Sequence, residues 1–337
     1  MRSPLNKRLF RELRGEFGKY LVIFILMTLT IGMVSGFLVA DGSMIQAYEE
    51  SFEKYNIENG HFRTEKKMNN AQIQDIEDLG IKLYENYYVE EALTNGSTMR
   101  IFKNRDEVNK VCLMKGKMPE KPGEIGIDRM YADNNDLSVG DEIESGGHTW
   151  KITGLVALSD YSALFSNNND SMFDSVKFGV SVVCPEEFDS YKADQLNYSY
   201  AWKYNTEPKN EKAEKDISED LMEDVAKEVT LEEFVPRYTN QAIIFTGDDM
   251  GGDRSMMIVL LYIIIVIMAF VFAITTSNTI RKEANVIGTL RASGYTRGEL
   301  IRHYMTAPVF VTFIGAIIGN IIGYTVGKDY CAGLYYG

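Results

Sequence analysis

RKEANVIGTLRASGYTRGEL, residues 281–300, lies between two long apolar runs and contains two separate helix signals. Its second half opens with Thr296 and Glu299 at the spacing of a capping box, in which two residues satisfy each other's free backbone amides at a helix start. The stretch therefore predicts a short helix, a break at residues 292–295, and a second helix that continues into the next apolar run. The first helix is predicted because Glu283, Ile287, Leu290 and Gly294 recur at helical spacing. Gly294, the last of them, is a common helix stop.

Three uncharged segments occur in the chain, over residues 21–40, 255–280 and 304–327. About 20 apolar residues are enough for a helix to cross the hydrocarbon layer, and three buried core helices of this kind would be unusual in a soluble domain. A cleaved signal peptide is the alternative for the first segment, but the apolar run is too long and no cleavage motif follows it. The sequence therefore predicts three transmembrane helices.

The formal net charge of −13 over 337 residues is distributed unevenly. Residues 1–20 carry +4, residues 277–304 carry +3 and the tail from 305 is neutral, so residues 41–276 carry −20. Because positive loops stay in the cytoplasm, the N-terminus and the loop between the second and third helices are predicted inside. The acidic segment 41–254 is predicted outside. Its negative charge disfavours nucleic acid as a partner. The charge could serve to bind cationic ligands or simply to keep the surface solvated.

These patterns divide the chain into seven segments. The first has an apolar face formed by Leu9, Phe10, Leu13 and Phe17, which is typical of a helix lying at the inner membrane surface. The predicted segments are an amphipathic cytoplasmic helix (1–19), transmembrane helix 1 (20–40), an extracytoplasmic domain with a stalk (41–254), transmembrane helix 2 (255–280), a cytoplasmic helical segment (281–303), transmembrane helix 3 (304–327) and an extracytoplasmic end (328–337).

The segment predicted outside combines short strands with two helices, so its class is α+β. The first transmembrane helix is expected to continue into it as a stalk that ends at Asn59-Gly60, because Ile45, Tyr48, Phe52 and Tyr55 recur at helical spacing. Helices are expected over 69–79, capped by asparagine, and over 209–228. Strands are expected where β-branched and aromatic residues alternate between turn residues: 61–64, 82–93, 97–104, 123–127, 149–158 and 178–184.

Two stretches, SNNNDSMFD (166–174) and GDDMGGD (247–253), are expected to be loops. Their acidic residues allow a calcium site as an alternative, although neither has the spacing of a calcium-binding loop. Cys112, Cys184 and Cys331 have no metal-site spacing. Cys112 and Cys184 could pair outside the cell or remain free thiols. The sequence thus predicts no metal site.

The third apolar segment contains a glycine strip, which we define as Gly315, Gly319, Gly323 and Gly327. Four glycines spaced every fourth residue lie on one helix face, where they let the backbone of another helix approach closely. Glycine is also simply common in membrane helices, which is the alternative explanation. Pro308 is expected to bend this helix.

No catalytic motif is present in the sequence. The chain lacks the phosphate-binding G-x-x-x-x-G-K-[ST] pattern, the G-x-S-x-G nucleophile motif and the H-E-x-x-H zinc motif. No charged residue lies within the first or third apolar segment, which disfavours an ion relay. The chain is therefore not expected to be an enzyme, to bind a cofactor directly or to hydrolyse ATP alone.

The stretch E-A-x-V-I-G-T-L-R-A-S-G at 283–294 resembles the coupling segment of FtsX-like, MacB-type ABC transporter permeases. KGKMPEKPGEIGIDRMYADNNDLSVGDEI at 115–143, followed by TWKITGLV, is similar to the extracytoplasmic core domain of that family, a MacB-like periplasmic type. The topology also agrees with that family: one transmembrane helix, then a large exterior domain, then further transmembrane helices. This resemblance covers essentially the whole chain, and the coupling segment is its most specific part.

The resemblance implies a permease subunit in the cell membrane that is driven by a separate cytoplasmic ATPase, on which ATP binds. A second permease half or a homodimer partner is also implied. Movement would pass through the membrane to the exterior domain, which handles a lipid, lipoprotein or peptide. Alternatives are an FtsX-like activator of cell-wall hydrolases and a membrane-anchored sensor. The expected ATPase-coupling residues are Glu283, Ile287, Leu290, Arg291, Ala292 and Gly294, and the expected helix-packing residues are the glycine strip.

One feature departs from the family. Such permeases have at least four transmembrane helices, whereas this sequence ends just after its third, at GLYYG. The expectation is that the sequence is truncated or that a second half lies elsewhere. The sequence leaves open the transported molecule, the direction of transport and the identity of the ATPase.

Overall fold

The computed structural model describes residue 11 and residues 14–334. Most of the amphipathic helix expected over 1–19, including Leu9, Phe10 and Leu13, lies outside the described residues. The chain divides into two compact units. We call Met1–Ala47 with Met250–Gly337 the helical unit and Tyr48–Asp249 the sheet unit.

The elements follow one another along the chain in a simple order, with helices at both ends and an α+β region between them. In chain order they are α1 Phe17–Lys54, β1 Gly60–Thr64, α2 Asn70–Glu77, β2 Ile81–Glu85, β3 Tyr88–Ala92, β4 Thr98–Lys103, β5 Val111–Gly116, β6 Glu124–Asp128, α3 Arg129–Asn134, β7 Glu142–Ser145, β8 His148–Leu158, β9 Phe178–Val183, α4 Pro185–Phe188, β10 Tyr198–Tyr204, α5 Glu211–Glu228, β11 Leu231–Pro236, α6 Gln241–Lys282, α7 Ala284–Ala292, α8 Arg297–Ile322 and α9 Lys328–Leu334.

Among the residues that the structure describes, three helices are long and apolar enough to cross a membrane: α1, α6, and α8 together with the segment that continues it. Each contains one of the three uncharged segments found in the sequence. Large apolar side chains such as Phe270, Phe310 and Phe313 are exposed on α6 and α8, as expected for surfaces that face lipid rather than water. A π-helical turn, Gly323–Gly327, joins α8 to α9.

Two of the expected boundaries were wrong. The stretch 247–253 is not a loop but part of α6. A Cβ built on Gly247 would lie 2.6 Å from the Tyr48 ring, so packing against α1 holds this glycine in a helix despite its low propensity. The stalk also ends earlier than Asn59-Gly60: α1 stops at Lys54, and Asn56 takes the left-handed conformation at φ 50°.

The sheet unit contains two sheets. The smaller has the strand order β11-β1-β10-β2 and is antiparallel throughout. The larger has the order β3-β4-β9-β6-β8-β5, with β7 paired to β8. Its β4–β9 and β6–β8 pairs are parallel and the others antiparallel. Every residue of β9 is buried at the centre of this sheet, which matches a largely apolar sequence interrupted only by Ser181.

The core of the sheet unit draws on both sheets. Trp202 of β10 is fully buried and stacks on Phe234 of β11, with ring centroids 4.8 Å apart. Gly60 of β1 lies against the same indole, because a Cβ on Gly60 would be only 2.3 Å from Trp202 Cζ2. This close contact requires glycine at the start of β1.

The α+β class predicted for this region is confirmed, and most of its elements occur where they were expected. The helices over 69–79 and 209–228 correspond to α2 and α5, and Asn69 caps α2 in a capping box with Gln72. The run 82–93 is two strands rather than one, because Asn86 and Tyr87 separate β2 from β3. Four strands were missed: β5, β7, β10 and β11.

The three cysteines are free thiols, so Cys112 and Cys184 do not pair. Cys112 lies on β5, where the Tyr55 hydroxyl is 3.2 Å from its sulfur. Cys184 is buried at the residue before α4. In the loop 166–174, Asp170 accepts hydrogen bonds from Ser166 and from the backbone of Asn167, so its carboxylate closes a local turn.

Candidate functional site

The loop segment, residues 281–303, has the two-helix arrangement that its sequence predicts. Helix α6 ends at Lys282, and α7 begins at Ala284, so only Glu283 separates the two helices. Gly294 takes a φ of 96° just after α7, a conformation that favours glycine. The Thr296 hydroxyl accepts from the Glu299 backbone, and the Glu299 carboxylate accepts from the Thr296 backbone at 2.8 Å. These local hydrogen bonds fix where α8 starts.

Helix α7 lies on the surface of the helical unit. None of its residues is buried, and Val286 is 38% exposed. Ile287 and Leu290 are half-buried, whereas Arg291 and Ala292 are exposed. The expected coupling residues therefore lie together on one short helix and its stop, although Ile287 and Leu290 are partly covered by the chain itself.

Two hydrogen bonds anchor the ends of α7. The Tyr304 hydroxyl donates to the Glu283 carboxylate, which links the residue before α7 to α8. At the other end, the Arg291 guanidinium donates to the backbone oxygen of Tyr295, 3.1 Å away. Both expected polar residues are thus used to hold α7 in place, which leaves its exposed face available for another surface.

Val286 is the apolar side chain that sequence reasoning missed on α7. Its exposure exceeds that of the half-buried Ile287 and Leu290. The signal was present in the sequence, because Val286 and Leu290 are four residues apart and therefore share a helix face. A face of this kind, with a few apolar anchors on a surface helix, is suited to docking into a groove of another protein.

A second candidate site is the contact between the glycine strip and α1. A Cβ built on Gly319 would lie 2.8 Å from the Thr28 backbone oxygen, and one on Gly323 would lie 2.6 Å from the Gly32 backbone oxygen. Gly315 is looser, at 3.3 Å from Met27 Cβ, and the Thr28 hydroxyl donates to its backbone oxygen at 3.3 Å. Along this face, the two helix backbones are in direct contact.

The partner residues of this contact were not identified from the sequence. Gly32 and Gly36 of α1 face the strip, and a Cβ on Gly36 would lie 2.7 Å from the Gly327 carbonyl carbon. The signal was the G-x-x-x-G spacing within the first apolar segment. Gly327 belongs to the π-helical turn that follows α8, so the contact continues past the regular helix.

An ion pair within the helical unit was also missed. Asp41 of α1 is fully buried, and Arg254 Nε of α6 lies 3.9 Å from its carboxylate. Neither carboxylate oxygen of Asp41 has a hydrogen bond within the described part of the chain. The sequence signal was a charge directly after the first apolar segment and another directly before the second, where opposite charges on neighbouring helices can meet.

Comparison with known proteins gives a match at the membrane end of the chain. Residues 258–333, which include α7 and the whole glycine strip, match the family described as FtsX-like permease C-terminal. No curated protein matches the chain.

Two solved structures are similar to the sheet region. The periplasmic region of MacB from Actinobacillus actinomycetemcomitans shares 11% identity at a TM-score of 0.29, over 50% of this chain and 85% of that one. The extracellular domain of the noncanonic ABC-type transporter YknZ from Gram-positive bacteria shares 11% identity at a TM-score of 0.28, over 52% of this chain and 98% of that one.

The family match agrees with the structure, because it covers the loop segment and parts of the two membrane helices that flank it. This chain is therefore a membrane protein whose residues 258–333 match the FtsX-like permease C-terminal family.

Proposed function

We propose that this chain is the permease subunit of an ABC transporter and that its loop segment binds a separate cytoplasmic ATPase. The observation that carries the proposal is α7, an amphipathic helix without a buried residue that lies inside the FtsX-like match. A helix without a fully buried residue gains little from packing on its own chain, and most helical stability in proteins comes from packing. Binding to a partner would supply that packing.

The sequence supports a separate subunit for ATP hydrolysis. Its sequence has no phosphate-binding loop, so ATP would be bound and hydrolysed on the partner subunit. The charge pattern supports a cytoplasmic location for the loop segment, because residues 277–304 carry an excess of arginine and lysine. The sheet unit would then lie outside, with the N-terminus in the cytoplasm.

Movement of α7 would be passed on through α6 and α1. Helix α6 begins at Gln241, within the residues of the sheet unit, and runs to Lys282 beside the loop segment. Helix α1 likewise ends within the sheet unit, at Lys54. Continuous backbone hydrogen bonding along each helix supports mechanical transmission over its length. A second permease half or a homodimer partner would complete the assembly.

Photo-crosslinking tests this proposal directly. A photoreactive phenylalanine analogue is placed at Val286, and the full-length protein is irradiated in membranes of its source cells. We expect an adduct that mass spectrometry identifies as an ABC-type ATPase. The matched control places the same analogue at Met172, which is 79% exposed in the sheet unit and predicted outside. An ATPase adduct from Met172, or none from Val286, would contradict the proposal and favour the sensor alternative.

A further inference from the structure

A polar cleft of about 210 Å³ lies within the sheet unit. Its walls come from β1 of the smaller sheet, from β3 and β4 of the larger sheet, and from the loop that follows β8. We define it by Glu58, His61, Arg63, Tyr88, Arg100 and Asp160. At about 30 Å³ for each water molecule, this volume equals roughly seven waters, which is close to the size of a single sugar ring with its substituents.

The wall formed by the larger sheet is built around Arg100 of β4. Its guanidinium donates to Glu90 at 2.6 and 2.9 Å, to the Tyr161 hydroxyl at 2.6 Å and to the Ser166 backbone oxygen at 2.9 Å. The same group lies over the Tyr88 ring, 4.5 Å from its centroid. Arg100 is therefore held rigidly, and its charge is already neutralised by Glu90.

The charges of the opposite wall are also paired. Glu58 is buried, and one of its oxygens lies 2.6 Å from His61 Nδ1 while the other accepts from Asn109 at 2.6 Å. Asp160 forms a two-pronged pair with Arg105, at 2.6 and 2.7 Å. Each charge buried in the walls has an opposite charge beside it, so the cleft offers no unmatched charge for an ionic ligand.

Three hydrogen-bonding atoms remain available inside the cleft. Within the described residues, the Tyr88 hydroxyl and His61 Nε2 make no hydrogen bond, although both side chains line the cavity. Arg63 Nε is buried without a hydrogen bond and lies 3.6 Å from a Glu233 carboxylate oxygen, while Nη1 of the same side chain donates to Glu232 at 2.6 Å. Buried polar groups normally find partners. These three groups therefore mark where a ligand's oxygens would lie.

The chemistry of the walls selects the class of ligand. A free amino acid or a phosphate would bring charges that the cleft cannot match, and an apolar molecule would leave the polar groups unsatisfied. An uncharged molecule with several hydroxyl groups suits both donors and acceptors, and the faces of Tyr161 and Phe165 can pack against its C–H groups. We propose that the polar cleft binds one ring of an uncharged saccharide.

A ligand in the cleft would touch both sheets and the start of α6. Such binding is a property beyond the proposed permease function. Asn240 and Ala242 line the cavity. The Asn168 side chain, in the loop after β8, accepts from the backbone of Gln241 at 2.9 Å, which fixes the first residue of α6. Saccharide binding would therefore restrain the beginning of a transmembrane helix.

The test uses the full-length protein in detergent micelles and saturation-transfer difference NMR. The probes are glucose, mannose and N-acetylglucosamine, with trialanine and inorganic phosphate as charged competitors; phosphate is followed by ³¹P line broadening. We expect transfer to at least one sugar and no displacement by either competitor. No transfer to any of the three sugars, or displacement of a bound sugar by trialanine or phosphate, would overturn the proposal.

The Tyr88→Phe variant assigns the binding to the cleft. It removes one hydroxyl and keeps the buried ring, so we expect the affinity for the bound sugar to fall about fivefold, the effect of one lost hydrogen bond. The matched control, Tyr84→Phe, removes a hydroxyl from β2 outside the cleft and should leave affinity unchanged. His61→Gln serves as a second variant if Tyr88→Phe lowers the thermal midpoint. Unchanged affinity in the folded variants would contradict the assignment.

Discussion

The backbone oxygen of Gly32 lies 2.6 Å from the position that a Cβ on Gly323 would occupy. Even a methyl group at residue 323 therefore cannot be added without moving one helix. Inside a membrane, helices associate through close packing, since lipid provides little hydrophobic drive between them. The contact between α1 and the glycine strip depends on the absence of side chains on both sides.

Replacing Gly319 and Gly323 with leucine should separate α8 from α1. We expect a loss of about 1–2 kcal/mol in helix packing, measured as a lower thermal midpoint of the purified full-length protein. Gly36→Ala should act in the same direction, because its Cβ would lie 2.7 Å from Gly327. Gly42→Ala is the control on the same helix, since no described atom lies within 4 Å of its Cβ. Equal midpoints for all variants would mean that the strip is incidental.

Asp128 should make the sheet unit less stable as the pH rises through the weakly acidic range. Burial raises the pKa of this carboxyl from 3.8 to about 6, although it also caps α3 by accepting from Met130 and Tyr131. Because the folded pKa is the higher one, this group's contribution is complete below pH 3.8 and is lost as the pH rises through 6. Asp128→Asn keeps an acceptor for the cap and removes the titration.

We therefore expect Asp128→Asn to be more stable than the wild type at pH 7.5, by about 1–3 kcal/mol, and to be similar at low pH. Urea unfolding, followed by the fluorescence of the buried Trp150 and Trp202, measures the difference. A constant difference between pH 4 and 7.5 would show that Asp128 does not titrate in this range.

The Glu58–His61 pair should stabilise the sheet unit in a different pH window. Burial opposes charge on both groups, but the attraction between them lowers the pKa of Glu58 and raises that of His61. The Glu58 contribution is present above its unfolded pKa of 4.5, and the His61 contribution is complete below 6.5. The pair is therefore strongest between these values and weakens as the pH rises through the raised pKa of His61.

Glu58→Gln tests this pair. Removing one partner of a buried ion pair costs about 3–5 kcal/mol, and we expect the loss to be largest near pH 6 and smaller at pH 9. Urea unfolding across that range gives the measurement. The matched control is Glu144→Gln, an exposed acid on β7, which should change stability little at any pH. A loss of the same size at pH 6 and pH 9 would contradict the assigned titration.

The orientation in the membrane can be checked by cysteine labelling. In a Cys112→Ser background, which leaves only buried native thiols, single cysteines are placed at the exposed Asn134 and Arg297. The positive-inside rule predicts that an impermeant maleimide labels residue 134 on intact cells and residue 297 only after permeabilisation. Labelling of residue 297 from outside would reverse the orientation and remove the basis for cytoplasmic docking.

Local signals predicted the loop segment well, and tertiary contacts account for most of the errors. The capping box at Thr296 and the helix stop at Gly294 each depend on only a few consecutive residues. The sequence alone therefore locates α7 and α8. The partner of the glycine strip on α1 could not be assigned in the same way, because residues far apart in sequence form the contact. Gly247 likewise lies in a helix and packs against Tyr48, a residue far away in sequence.

The polar cleft could not be predicted from the sequence for the same reason. Glu58, Tyr88, Arg100 and Asp160 come from separate elements, and no short motif connects them. In the sequence alone, the three charged residues of this set resemble ordinary surface charges of an acidic domain. Only the pairing of the two sheets brings them around one cavity and matches their charges.

The most direct test of the permease account is the recovery of the ATPase with Leu290→Asp. A carboxylate at residue 290 would be desolvated on docking, which should weaken binding by about 1–3 kcal/mol, or roughly fivefold to a hundredfold. Gly298→Asp is the control, because it adds the same charge to the exposed first turn of α8, where the helix dipole favours an acid.

The tagged wild type and both variants are purified from membranes at matched expression, and the copurified ABC-type ATPase is quantified by mass spectrometry. We expect full recovery with the wild type and Gly298→Asp and a several-fold or greater loss with Leu290→Asp. Equal recovery from all three would contradict the permease account, because α7 would then be only a connector between two membrane helices.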